Sequence, residues 1–394
     1  MTQLQELSAG ERGRVRITAL KAVQVQSCLQ CLVKVETDAG IVGYGEAGGS
    51  GPMVRGNLRY LEPFLLGKDP LEVDKLYNLM SNLQHPNRPH MPTVSGVDIA
   101  LWDIAGKILG MPVSQLLRGQ YRTDIPLYIN TVGPEDWFDE GACKAWAQEI
   151  ASHPGGWKAI KMDFTRLRGS VLPQDYWRPG ERVATLRPGQ IKRIARGYEN
   201  CRAALDPSIE MIVHCHNEFD LPSAIGLARA VAPISPMWLE DALPIPYTDA
   251  WKVLKAASPV PILTGEKLES LREFLPFLTN GAVDMIQPDI AFAGGLSGLW
   301  KIAELADLFH VPVTTHNVGT VVQHAATAHF AAAARNFVIS ETSLVAGSVL
   351  EDLIAEPLVV VDGKLRVPSG PGLGITVIEE AVRRHLAPGE PFWE

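Results

Sequence analysis

Several features that define particular classes of protein are scarce or missing in this sequence. Cysteine occurs only five times, at positions 28, 31, 143, 201 and 215, which is an odd and scattered set. Such a set is a poor disulfide framework for a chain of 394 residues and indicates a reducing compartment. We therefore expect a cytoplasmic protein.

Concentrated positive charge and long apolar runs are also lacking. The chain has 36 Lys and Arg residues against 44 Asp and Glu residues, without a basic cluster, so neither a nucleic-acid nor a membrane partner is expected. No apolar run approaches the roughly 18 residues of a membrane span. The opening MTQLQELSAGERGRV has no apolar core typical of a signal peptide. These absences favour an enzyme that acts on a small molecule.

Length and composition predict two folded domains. Hydrophobic residues make up 46% of the chain and charged residues 20%, which is ordinary for a globular protein. The first part combines strand-like alternation, a turn at Asp38–Gly40 and helical patterns. The strongest helical pattern is VSGVDIALWDIAGKILG, for which Ser95 is the predicted N-cap and Gly110 the predicted stop. This part predicts an α+β unit.

From about residue 125, short apolar runs alternate with amphipathic helical stretches, which is typical of βα units around a parallel sheet. An acid or an imidazole ends each of six successive runs, at intervals of 26, 26, 23, 27 and 25 residues. These positions are His214, Glu240, Glu266, Asp289, His316 and Glu341. Because the carboxyl ends of barrel strands face one mouth, we expect the six side chains to meet in one cavity.

The residue types at these strand ends indicate a metal centre. Glu240 and Glu266 could hold one divalent cation between them, with His214 as the third ligand and Asp241 as an adjacent reserve. Imidazole suits Zn²⁺ and other first-row metals better than Mg²⁺, so this ligand set leaves the identity of the metal open.

Residues that can carry protons are expected around this centre. Asp289 would hydrogen-bond to His316 and so select its tautomer. A metal between a base and an acid suits removal of a weakly acidic proton next to a carboxylate, with the cation stabilising the enediolate. Return of the proton to the other face gives racemisation, whereas protonation of a β-hydroxyl expels water; the spacing does not choose between them. The further candidates are Lys161, Asp163 and His216, and Tyr176 on a Pro/Arg-rich insert predicted to form a long loop over the mouth.

Ten motifs occur in order along the chain: VSGVDIALWDIAGKILG, AIKMD, HCH, WLED, TGE, QPD, TTH, the final SE, VPSGPGLGI and PFWE. Together they resemble the enolase superfamily, specifically the mandelate racemase-like branch of galactonate- and mannonate-type acid-sugar dehydratases. The resemblance covers almost the whole chain and implies a (β/α)₇β modified TIM barrel, in the α/β class, with an α+β capping domain. The implied boundaries are 1–124 for the cap, 125–360 for the barrel and 361–394 for a return segment that packs on the cap. A homo-oligomer is also implied.

The resemblance also implies roles for individual residues. Glu240 and Glu266 would be magnesium ligands, Asp289 and His316 a catalytic dyad, and Glu341 a hydrogen-bond donor or orienting group near the substrate carboxylate. His216 matches the histidine that such dehydratases place two residues after the first ligand.

Two positions depart from the family pattern. His214 stands where Asp is usual, which removes one negative charge and extends the expected metal from Mg²⁺ to Mn²⁺ or Zn²⁺. Asp163 replaces the second lysine of a Lys-x-Lys base motif, here Lys161-Met162-Asp163. Two-base racemisation is therefore less favoured than dehydration by His216 and His316.

The predicted function is a divalent-metal-dependent hydro-lyase of sugar acids. It would remove the proton α to a carboxylate through a metal-stabilised enediolate and eliminate the β-hydroxyl to give a 2-keto-3-deoxy acid. The alternatives are a racemase, epimerase or cycloisomerase of the same superfamily, or a non-catalytic sugar-acid sensor with a degenerate metal site.

Overall fold

The computed structural model describes residues 9–26, 30–82, 90–164, 185–343 and 349–393. These residues form a three-stranded antiparallel sheet, a closed barrel of eight parallel strands, and the helices around both. Two further short strands extend the first barrel strand at its start. None of the described helices is long and apolar enough to span a membrane.

The N-terminal sheet and its helices form the capping domain. Helix α4 packs so closely on strand β3 that a Cβ at Gly45 would lie 2.0 Å from the carbonyl oxygen of Gly96, and glycine at position 45 therefore permits the contact. The strands β1 to β3 are Ile17–Gln24, Gln30–Thr37 and Val42–Gly48. The helices α1 to α5 are Ala9–Arg12, Gly51–Leu65, Val73–Ser81, Met91–Leu109 and Val113–Leu116.

Helix α4 begins earlier than its sequence pattern predicts. Its N-cap is His90 and not Ser95, because Pro92 sits in the first turn, where the missing N–H is not needed. The Ser95 hydroxyl instead donates to the Met91 carbonyl at 2.9 Å and accepts from Gly294 N at 2.8 Å. The predicted end is confirmed, since Gly110 has a φ of 69° at the C-cap.

The barrel consists of strands β4 to β11 in sequence order, and β11 pairs back with β4 to close it. Among the described residues, seven helices alternate with the eight strands, which confirms the predicted modified TIM barrel with a cap. The strands are Asp124–Thr131, Ala159–Asp163, Glu210–His214, Leu239–Glu240, Ile262–Thr264, Met285–Ile286, Val313–Thr315 and Phe337–Ser343. The helices α6 to α12 are Glu140–Ser152, Pro188–Ala204, Leu221–Val231, Ala250–Ala257, Leu271–Thr279, Gly295–Leu308 and Val321–Ala333.

The C-terminal segment touches both parts of the molecule. Strands β12 (Val360–Val361) and β13 (Lys364–Arg366) extend the barrel sheet through antiparallel pairing of β13 with β4. After helix α13 (Glu379–Arg384) the chain returns to the cap, where Leu386 bridges to Val25. The exact domain boundaries stay predictions.

The cap has an apolar core of its own, and some of its residues, such as Val23, Leu32 and Ile99, also pack into the apolar core of the barrel. Polar groups join the two parts as well. Asp98 of α4 accepts from Ser297 N, in the first turn of α11, at 2.9 Å. Glu46 of β3 accepts from Thr320 N, at the start of α12, at 2.9 Å. Each carboxylate lies at a helix N-terminus, where backbone N–H groups and the helix dipole favour negative charge.

Candidate active site

The carboxyl ends of the barrel strands bring the predicted site residues together. His214 Nε2 lies 3.5 Å from Glu240 Oε1 and 3.6 Å from Glu266 Oε2. His316 Nε2 lies 3.5 Å from Glu266 Oε2 and 3.9 Å from Glu341 Oε2. The histidines and carboxylates predicted from the strand period therefore form one continuous cluster at the mouth.

Three side chains at the mouth, two of them from this cluster, form a group that fits a metal ion. His214, Asp241 and Glu266 are buried, and each offers a ligand atom within 4.8 Å of the other two. Both ring nitrogens of His214, Asp241 Oδ2 and Glu266 Oε2 have no hydrogen-bond partner in the described part of the chain. Buried polar atoms without partners are costly unless something binds them. Nitrogen and oxygen donors of this kind suit a divalent cation.

The imidazole of His214 is kept neutral by its surroundings. Burial, followed by the proximity of Lys161 and His216, lowers the pKa of His214 well below its ordinary value. A neutral imidazole has a free lone pair, which a metal ligand requires.

Glu240, predicted as a ligand, already has a protein partner at each oxygen. Its Oε1 lies 2.8 Å from Lys161 Nζ, and its Oε2 accepts from Trp238 Nε1 at 2.9 Å. The neighbouring Asp241, with a φ of 53°, accepts from Thr264 Oγ1 at 2.6 Å and keeps its second oxygen for the cluster. A non-glycine residue in the left-handed region is strained, and such strain is concentrated at functional sites.

Lys161 occupies the centre of a buried charge cluster. Its ammonium lies 2.8 Å from Oε1 of Glu240 and 2.8 Å from Oε1 of Glu341. Burial alone would lower the pKa of Lys161, but these two carboxylates outweigh burial and raise it well above its ordinary value. Lys161 therefore serves as a fixed positive charge and not as a base.

Asp289 and His316, which follow β9 and β10, form a hydrogen-bonded pair. His316 Nδ1 lies 2.6 Å from Asp289 Oδ2, which leaves Nε2 facing the cluster. Asp289 Oδ1 accepts from Ala291 N at 2.7 Å and from Gln323 Nε2 at 2.8 Å. Burial lowers the pKa of His316, but the carboxylates of Glu341, Glu266 and Asp289 outweigh burial and raise it to about 9.

A second histidine–carboxylate pair lies across the mouth. His216 Nδ1 is 2.7 Å from Asp163 Oδ2, and the His216 ring is 3.9 Å from that of His214. His216 lies two residues after β6 and His316 directly follows β10, and these strands are four apart in a closed ring of eight. The two pairs therefore face each other from opposite sides of the cluster. The carboxylate that replaces the family's lysine is the partner of His216.

Other residues join the site without having been singled out in the sequence. Tyr128 OH donates to Glu341 Oε2 at 3.2 Å. Lys267 Nζ lies 3.3 Å from Glu266 Oε1 and donates to the His216 carbonyl at 2.9 Å. The adjacency of Lys267 to Glu266 was a usable signal, whereas Gln323 lies on a helix outside the strand-end pattern. Tyr176 and its insert lie outside the described residues.

A capped eight-stranded barrel whose mouth places a group of metal-type ligands between two histidine–carboxylate pairs has the architecture of an enzyme for proton-transfer chemistry. The chain belongs to the enolase superfamily. Residues 142–381 match the family described as enolase C-terminal domain-like. Residues 11–118 match the mandelate racemase / muconate lactonizing enzyme N-terminal domain. The resemblance found in the motifs is thereby confirmed.

Similar proteins cover nearly the whole chain. A D-xylonate dehydratase of Haloferax volcanii is 32% identical, over 92% of this chain and 87% of its own length. A D-galactonate dehydratase of Variovorax paradoxus is 29% identical, over 96% of each chain. The crystal structure of a mandelate racemase/muconate lactonizing enzyme-like protein of Rubrobacter xylanophilus superposes with a TM-score of 0.86 at 30% identity, over 97% of this chain and 100% of that one.

Proposed function

We propose that the protein is a metal-dependent hydro-lyase that converts a sugar acid to its 2-keto-3-deoxy acid. The observation that carries the proposal is the pair of facing histidines, His216 and His316, each held by a carboxylate at Nδ1. Elimination of water needs one group to accept a proton and another to donate one. The dehydratases among the similar proteins support the same reaction and the same substrate class.

A divalent cation fits the donors at the centre of the site. His214, Glu266 and Asp241 would hold it, with Glu240 as a further predicted ligand beside them. Mg²⁺ is the expectation from the resemblance, and Mn²⁺ or Zn²⁺ suit the imidazole. When bound, the cation supplies a positive charge that stabilises negative charge developing on the substrate carboxylate.

The two histidines would move the protons. One takes the α-proton through Nε2, and the other gives a proton to the β-hydroxyl as its C–O bond breaks and water leaves. The enol that remains becomes the 2-keto-3-deoxy acid by tautomerisation. Asp289 and Asp163 each hold one of the two rings through its Nδ1. Glu341 is proposed to orient the substrate carboxylate, Lys161 to balance the buried negative charge, and Tyr176 to assist from the insert.

A panel of aldonic and aldaric acids with Mg²⁺, Mn²⁺ and Zn²⁺ tests the proposal, with 2-keto-3-deoxy products detected as semicarbazones. We expect activity that is lost to a chelator and regained with a cation. His316→Asn should reduce kcat by about 10²-fold or more. The control is His310→Asn, which should leave kcat unchanged because His310 is exposed and precedes the N-terminal end of β10, away from the mouth.

Two results would contradict the proposal. A full-activity His316→Asn variant would remove His316 from the mechanism. Binding of sugar acids without any keto product, with all three metals, would favour the sensor.

A further inference from the structure

The cap reaches the Asp289–His316 pair through one buried chain of hydrogen bonds. Glu46 Oε1, on β3, accepts from Thr320 N at 2.9 Å. Its Oε2 accepts from the Thr320 hydroxyl and from Gln323 N, the second at 3.1 Å. Thr320 is the N-cap of α12, and Gln323 lies in the first turn of that helix. All three side chains are buried. A residue of the cap therefore holds the start of a barrel helix.

Gln323 connects this helix end to the dyad. Its Nε2 donates to Asp289 Oδ1 at 2.8 Å, while Asp289 Oδ2 pairs with His316 Nδ1 at 2.6 Å. An ionised carboxylate only accepts hydrogen bonds, so the amide must present its NH₂ group to Asp289. Gln323 thus restrains the plane of the Asp289 carboxylate, and that plane sets the orientation of the His316 ring.

The surroundings leave Gln323 little room to turn away. A Cβ at Gly319 would lie 1.9 Å from Gln323 Oε1, 2.4 Å from Gln30 Oε1 and 2.6 Å from Glu46 Oε1. Three buried side-chain oxygens, two of them from the cap, therefore converge on the space that glycine leaves at position 319. Any side chain there would displace at least one of them.

We propose that Gln323 is a positioning residue of the His316–Asp289 dyad and that Glu46 of the cap holds Gln323 in place. The docked cap then sets the geometry of the dyad, in addition to covering the mouth. The proposal rests on the proposed function for its kinetic consequence only, because the orientation of the His316 ring can be measured without substrate or metal.

The first test is Gln323→Leu, which removes the donor at a similar volume. Its matched control is Gln190→Leu, because Gln190 has the same place in the first turn of α7 and caps Arg187 N at 2.8 Å. We expect the wild type to show a far-downfield Nδ1 proton of His316 in ¹H–¹⁵N spectra, assigned by its loss in His316→Asn. This resonance should shift or disappear in Gln323→Leu and persist in Gln190→Leu.

The kinetic counterpart is a loss of kcat by about 10- to 100-fold with little change in KM, since a misplaced catalytic group affects the reacting step more than binding. A resonance that is unchanged in folded Gln323→Leu would overturn the proposal. If the resonance is lost in the variant but the wild type turns over no sugar acid, the positioning role stands and the proposed function fails.

Gly319→Ala perturbs the same contacts without altering the side chains of Glu46, Gln323 or Asp289. If Gln323→Leu does not fold, this variant tests the positioning role of Gln323 in its place. Its control is Gly56→Ala, where a Cβ would have no neighbour within 4 Å. We expect Gly319→Ala to lose the resonance and Gly56→Ala to keep it; a wild-type resonance in folded Gly319→Ala would contradict the proposal.

Glu46→Gln, which turns one acceptor into a donor facing N–H groups, should weaken the resonance, and an unchanged spectrum would remove Glu46 from the chain of contacts.

Discussion

Lys161 joins two buried carboxylates that would otherwise repel each other. Glu240 and Glu341 each place an oxygen 2.8 Å from its ammonium, and none of the three side chains is more than 1% exposed. Removing one partner from a buried ion pair leaves an uncompensated charge, which costs about 3–5 kcal/mol. We therefore expect Lys161→Met to lower the free energy of unfolding in urea by about that amount.

The exposed pair of Lys144 and Glu140 supplies the control. Lys144→Met should leave the unfolding midpoint unchanged, because solvent screens an exposed pair. Adding Glu341→Gln to Lys161→Met should restore part of the lost stability. Wild-type stability in Lys161→Met would show that the two carboxylates are not both charged in the folded protein.

Individual site residues could be predicted where the chain repeats itself. His214, Glu266 and His316 follow from one rule, because each ends an apolar run at nearly the same interval. The partners of these residues follow no such rule. Gln323 contacts Asp289 from a helix, and Lys161 meets Glu341 only because the first and last barrel strands close on each other.

At the scale of elements, Asp98 joins helix α4 to the N-terminus of α11. Its Oδ2 accepts from Ser297 N at 2.9 Å, and burial raises the pKa of Asp98 from 3.8 to about 7 despite its hydrogen bonds to Ser297. Between those two pH values the folded protein binds more protons than the unfolded chain, so stability falls as the pH rises. The full shift corresponds to about 4 kcal/mol.

Asp98→Asn should flatten this part of the stability profile. The amide keeps an acceptor for Ser297 N and has no charge to desolvate, so the decline in unfolding free energy between about pH 4 and pH 7 should be smaller than in the wild type. Urea unfolding across that range measures it, with Asp362→Asn in the exposed turn between β12 and β13 as the control. Parallel profiles for the wild type and Asp98→Asn would show that Asp98 is not the group responsible.

The type of each secondary-structure element was easier to predict from the sequence than the residues at which it begins and ends. Strands of two residues, such as Leu239–Glu240, were still found from their period, because each sits in a repeating βα unit. The start of α4 was missed because Ser95 is a good N-cap by type, although Pro92 already marks the first turn of the helix. The Ser95 hydroxyl instead accepts from Gly294 N of the barrel. Such a contact depends on how the cap docks, which no local pattern contains.

At the scale of the whole molecule, the barrel and cap follow from the repeat and the family motifs. The antiparallel pairing of Lys364–Arg366 with β4 does not, since two short strands near the end of the chain have no period to reveal them. The C-terminal segment touches the cap through the bridge of Leu386 to Val25, so the stability of the cap should depend on contacts of this segment.

Glu390 makes two of these contacts. Its Oε1 accepts from Gln24 N at 2.8 Å and bonds to the Arg55 guanidinium, which is only 15% exposed. Glu390→Ala leaves both donors without this partner, at a cost of about 1–3 kcal/mol. We expect a lower melting temperature for Glu390→Ala and faster cleavage within the cap than within the barrel in limited proteolysis. Glu380→Ala, at an exposed position of α13, should match the wild type in both assays. Unchanged cleavage of the cap in Glu390→Ala would mean that Glu390 does not stabilise the cap, because the loss of its bonds to Gln24 and Arg55 would then have no effect on the elements that it touches.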